Sequence, residues 1–176
     1  MFSLVEKKQL KDIVERILHV PGNFTGPVLE MTLVLDHENE KEYIKETTKD
    51  IITTLKSKGE IFRNVRLNVV QWVDNEHFTN EVTAMSLLLM DGYYENYQVI
   101  PCEKQAEYLM AYLKKFHARS KLVIILSDSF SVGSKEGFMR EVKPFLERKT
   151  ILVKRGALID LHRDIQSITG LHCKCE

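Results

Sequence analysis

The chain is short of nearly everything that would single out a specialised class. It has only three cysteines in 176 residues. That number is odd and too small for a disulfide framework, so a reducing cytoplasm is the expected compartment. It has no excess charge: Lys plus Arg and Asp plus Glu both number 25. Nothing in that balance draws the molecule to nucleic acid or to an anionic membrane, and neither is an expected partner. Long apolar runs are missing too. Leu122 to Leu126 and Leu87 to Met90 have the length of buried strands or helix turns, far below a bilayer span. The opening Met1-Phe2-Ser3-Leu4-Val5-Glu6-Lys7-Lys8 lacks the basic-then-apolar order of a signal peptide. There is no Gly-rich phosphate loop or dinucleotide fingerprint, and Ser127-Asp128-Ser129 lacks the glycines of a nucleophile elbow.

What remains is a globular composition, 44% hydrophobic and 28% charged, of a size that suits one core. Leu10, Ile13, Val14, Ile17 and Leu18 recur at helical spacing, and Pro21-Gly22 closes that helix. Residues 1–28 thus read as an N-terminal helix and connecting loop packed on an α/β domain of residues 29–176. In that domain, 29–35 and 121–126 are continuous apolar runs, as strands covered on both faces require. Residues 65–73 and 150–153 are further strands. Amphipathic helices are expected over 40–58, with Gly59 behind it, and over 103–117. A helix bearing Phe138, Val142, Phe145 and Leu146 should kink at Pro144, and a last one carries Leu158, Leu161, Ile165 and Ile168. Residues 81–90 read either as a strand returning antiparallel or as a short helix, and 97–100 as a short strand. Strands alternating with helices define βαβ units. They predict a Rossmann-like, doubly wound, mostly parallel sheet with helices on both faces.

In such a sheet, ligands bind beyond the carboxyl ends of the strands, near the point where strand order reverses. Leu33-Val34-Leu35-Asp36 and Ile124-Ile125-Leu126-Ser127-Asp128 are strands running into an aspartate. If they are neighbours, Asp36 and Asp128 meet at one edge, and Glu38 and Glu40 add carboxylates there. Four like charges around one point repel unless solvated or neutralised. An all-oxygen set of this kind suits a hard cation such as Mg²⁺ or Ca²⁺. Without one, Glu38 and Glu40 are simply solvated acids at a helix N-terminus.

These residues resemble the von Willebrand factor A-type domain, in which a buried strand ends in Asp-x-Ser-x-Ser and a later one ends in aspartate. Asp36 matches the first aspartate and Asp128 the last, and the order of elements is similar over about residues 29–170. The resemblance implies a metal-ion-dependent adhesion site, completed in the family by a middle-loop threonine and often by a partner's carboxylate. Glu38 and Glu40 stand in place of the two serines, and Pro101-Cys102-Glu103 occupies the stretch where the threonine falls. The site is therefore a degenerate one.

The resemblance implies a non-enzymatic protein-interaction module with Asp36 and Asp128 as metal ligands, and the carboxylate chemistry adds Glu38 and Glu40 to that set. Its partner would meet Asp36, His37, Glu38, Glu103 and Ser129. The alternative is a metal-dependent hydrolase or phosphotransfer enzyme using the same carboxylates, with His37 as a candidate base. Tyr93, Tyr94 and Tyr97 form a candidate aromatic patch for a protein partner, or pack beneath the loop. His172, Cys173 and Cys175, with Cys102, carry soft-metal ligand types, or form a loose tail.

Overall fold

A computed structural model describes residues 2–19, 28–143 and 145–171. Five helices and six strands alternate along it. They are α1 (Leu4–Leu18), β1 (Leu29–Asp36), α2 (Lys41–Lys56), β2 (Val65–Trp72), β3 (Phe78–Thr83), α3 (Ala106–Phe116), β4 (Leu122–Leu126), α4 (Lys135–Val142), β5 (Thr150–Lys154), β6 (Ala157–Asp160) and α5 (Leu161–Leu171). The strands make one sheet in the order β3-β2-β1-β4-β5-β6. The central four are parallel, and β3 and β6 are antiparallel edges. The sheet is thus mixed, and helices flank it.

The alternation of side chains along each strand divides the core into two layers. Leu33 and Leu35 of β1, with Ile124 and Leu126 of β4, pack against Leu10, Val14 and Ile17 of α1 and Ile44, Ile51 and Ile52 of α2. Val34, Val70, Trp72, Val123 and Ile125 point the other way, against Leu109 and Leu113 of α3, Phe138 of α4 and Ile165 of α5. From β1 the chain winds one way to β2 and later the other way to β4. Right-handed crossovers then put α2 on one face and α3 on the other. The reversal lies between β1 and β4.

Several sequence expectations shift. The antiparallel return is β3, and it ends at Thr83, before a 3₁₀ turn over Met85–Leu89, so both readings of 81–90 hold in part. Residues 97–100 are not a strand. The third helix begins at Ala106 rather than 103, which leaves Glu103 and Lys104 outside it. Leu158 belongs to β6, not to the last helix. Gly156, at φ +74, makes the turn that lets β6 fold back on β5. Pro144, and His172, Cys173 and Cys175 in the tail, lie outside the described residues. Among those described, no helix is long and apolar enough to cross a membrane.

Candidate functional site

Asp36 ends β1 and lies beside Trp72 of β2. Two residues beyond Val34, it points into the layer beneath α3 and α4. Its side chain is fully buried, and four donors surround it. Oδ1 accepts from the Glu38 amide at 2.9 Å and from the Lys104 ammonium. Oδ2 accepts from the hydroxyls of Ser127 at 2.6 Å and Ser129 at 2.7 Å. Lys104 is as deeply buried; its Nζ also donates to the Trp72 carbonyl at 2.8 Å and sits 5.1 Å from the indole centre. A carboxylate and an ammonium taken out of water are tolerated only when paired and hydrogen-bonded, and here both are.

Lys104 reaches this position because residues 101–105 do not yet coil. The Gln105 amide donates to Asn75 Oδ1 at 2.8 Å, and Ser131 Oγ donates to the Lys104 carbonyl at 3.1 Å. Ala106 N then bonds to the Ser131 carbonyl at 2.7 Å. The segment is held between the β2–β3 turn and the loop after β4, and its lysine points inward to Asp36.

Asp128 comes to the same edge by register. β1 and β4 are adjacent and parallel, with Leu35 paired to Leu126. Ser127 and Ser129, on either side of Asp128, are the two hydroxyl donors to Asp36. Asp128 itself has other partners. Arg155 donates to it through its backbone N at 2.8 Å and its Nε at 2.7 Å, and Tyr43 through its hydroxyl at 3.2 Å. The Arg155 guanidinium lies 4.2 Å over the Tyr43 ring. Burial, then the Asp128 charge, push the Tyr43 phenol far above its ordinary range.

The two aspartates therefore share one sheet edge but have separate partners, and the four acids do not form one ligand set. Glu38 meets Asp36 through its backbone amide, and Glu40 is exposed at the N-cap of α2 with no side-chain capping bond. Among the described residues, no three His, Cys, Asp or Glu side chains group as metal ligands. The residues present do not fit the divalent ion of an adhesion site. An ammonium already neutralises Asp36, and a guanidinium neutralises Asp128. The repulsion expected of the acidic sequence is relieved from inside the chain.

Of the expected partner-facing residues, Ser129 and Asp36 belong to this network, and Glu103 is exposed just ahead of Lys104. His37 faces the other layer. Its Nε2 is 2.6 Å from Gln71 Oε1, and its ring centre is 4.5 Å from that of Tyr97. Burial, aided by the Lys104 charge, pushes its pKa below the ordinary value, against the bond to Gln71. Tyr97 donates to the carbonyls of Asp36 at 2.6 Å and Asn39 at 3.3 Å, tying the tyrosine segment to the same edge. A cleft of about 380 Å³ opens there, lined by His37, Gln71, Glu81, Tyr93, Asn96 and Tyr97 among others.

Lys104, Ser127 and Arg155 escaped the sequence reading. Lysines are common ahead of helices, and no spacing marks one as buried. One signal was available: from Leu67 to Glu103 the chain contains no Lys or Arg, and Lys104 ends that gap. No model of a known protein family matches this chain, and comparison with curated proteins finds no similar sequence.

Proposed function

We propose that this chain is a non-enzymatic protein-interaction module of the von Willebrand factor A type, Rossmann-like in its winding, whose binding edge is organised without a divalent cation. The A-type reading is supported by an aspartate at the end of β1 and another two residues beyond β4, on neighbouring parallel strands at the reversal of strand order, and by an antiparallel strand outside β2. The partner would meet the loops after β1 and β4 and the segment before α3, where Glu38, Glu40, His37, Ser129 and Glu103 lie.

One observation carries the metal-free, non-catalytic form of this reading. The Asp36 carboxylate is fully buried and engaged by Lys104, Ser127, Ser129 and the Glu38 amide. A carboxylate in that state cannot take a proton from a substrate or close on a metal without first breaking a buried ion pair. A hydrolase or phosphotransfer reading needs it open.

The test places a photo-crosslinking residue at exposed Glu40. A partner captured there should be lost on Glu38→Lys and retained in the presence of a chelator. Capture abolished by the chelator and restored by Mg²⁺ would establish a metal-bridged contact instead. Capture indifferent to Glu38→Lys would move the interface off this edge.

A further inference from the structure

Beside the Asp36 edge, on the face that carries α2, the cleft near Tyr93 and Tyr97 has a composition that selects its occupant. We propose that it receives an arginine side chain of the protein partner. This rests on the interaction-module reading and adds the chemistry of the contact.

The geometry follows from strand register. Glu81 of β3 lies opposite Val69 of β2, and so shares a sheet face with Gln71 and with Leu35 of β1. The turns after β3 bring Tyr93, Asn96 and Tyr97 over that face, and about 380 Å³ stays open between them. That is ample for one long side chain.

The walls carry aromatic rings and one charge. His37 and Tyr97 lie with ring centres 4.5 Å apart, and Tyr93 and Tyr94 stand edge to face at 5.1 Å. Burial holds the Tyr93 and Tyr97 phenols far above their ordinary pKa and keeps the His37 imidazole below its own, so these rings are neutral. The charged lining group is the Glu81 carboxylate, whose Oε1 accepts from the Tyr93 hydroxyl at 2.5 Å. No Lys or Arg lines the cleft. The reason lies in the sequence: residues 67–103 hold six acids (Asp74, Glu76, Glu81, Asp91, Glu95 and Glu103) and no Lys or Arg. Of these acids Glu81 is the one that lines the cleft; Asp91 is paired with Lys49, and Lys41 donates to the Glu95 carbonyl.

Aromatic faces with a carboxylate at hand favour a cation. Guanidinium fits better than ammonium. It is planar, stacks on rings, sheds water more readily, and presents a fork of donors to Glu81, Gln71 and Asn96.

The experiment titrates the full-length, isotope-labelled protein with acetyl-Gly-Arg-Gly-amide and follows the amide signals by NMR. Matched peptides carry citrulline, the neutral isostere of arginine, or lysine. The expected result is saturable shifts at His37, Gln71, Glu81, Tyr93 and Tyr97, with a Kd on the order of millimolar. Citrulline should give none, lysine weaker ones, and exposed Glu81→Gln should weaken arginine binding at least about fivefold. Equal response to citrulline, equal response to lysine, an unchanged Kd in Glu81→Gln, shifts located elsewhere, or none at all would each overturn the proposal. The probe needs no natural partner. Arginine binding without capture at Glu40 would leave the cleft standing and remove the interaction edge.

Discussion

Asp36 and Lys104 set the terms at the scale of single residues. Buried pairs contribute little net stability over an apolar pair, but losing one member strands the other's charge. Lys104→Met is therefore expected to lower unfolding free energy by about 3–5 kcal/mol in urea titrations. Adding Asp36→Asn to Lys104→Met should recover part of that loss, because no charge is then left alone. Equal loss in single and double variants would mean that packing around Trp72, not charge, explains the effect. A second residue-scale effect depends on pH. Burial lowers the pKa of both His37 and His117 from 6.5. Between the folded and unfolded values the unfolded chain binds more protons, so stability is full above pH 6.5 and falls as the pH drops below it. Urea midpoints measured from pH 7.5 to 5 check this. His117→Asn should flatten part of the decline, since it deletes one of the two groups.

Among the elements, α1 shows how local chemistry fastens a helix to the sheet. Ser3 and Glu6 form a reciprocal capping box, with both bonds at 3.1 Å. Ser3→Ala should cost about 1 kcal/mol, read as a lower urea midpoint, with Ser3→Asp close to neutral. At its other end, Arg16 forks onto Asp160 at 2.8 and 2.9 Å, joining α1 to the end of β6. Elements of this kind were unevenly legible. The continuous apolar runs of β1 and β4 permit little besides buried strands, and helical spacing exposed α1, α2 and α3. β6 was missed because Leu158 fits both a four-residue strand and the next helix's stripe, and no turn separates β6 from α5. The start of α3 is less legible for a similar reason: Ala106 begins the periodicity, and nothing local says that Glu103 and Lys104 stay outside the helix. That ambiguity hid the site's counter-charge. Asp36 and Asp128 were legible because one ends a buried strand and the other lies two residues beyond one, whereas their partners come from tertiary contact.

For the molecule as a whole, the winding on either side of β1 brings three loops to one edge, and the sequence supplies both signs of charge there. Two acids at strand ends meet one ammonium and one guanidinium from distant segments, so the edge is complete in the isolated chain. In the neighbouring cleft the charged lining group is Glu81. A module of the proposed kind would hold its binding shape at any concentration of divalent ion.

Thermal unfolding across a series of Mg²⁺, Ca²⁺ and Mn²⁺ concentrations, from chelated to millimolar, tests that most directly. A bound ion stabilises by linkage, about 2.7 kcal/mol at a hundredfold excess over its Kd. With Lys104 in place, the expected Tm is the same at every concentration, and lower throughout for Lys104→Met. A saturable rise in the Tm of the unmodified chain, abolished by Asp36→Asn, would contradict the account and return the site to the metal.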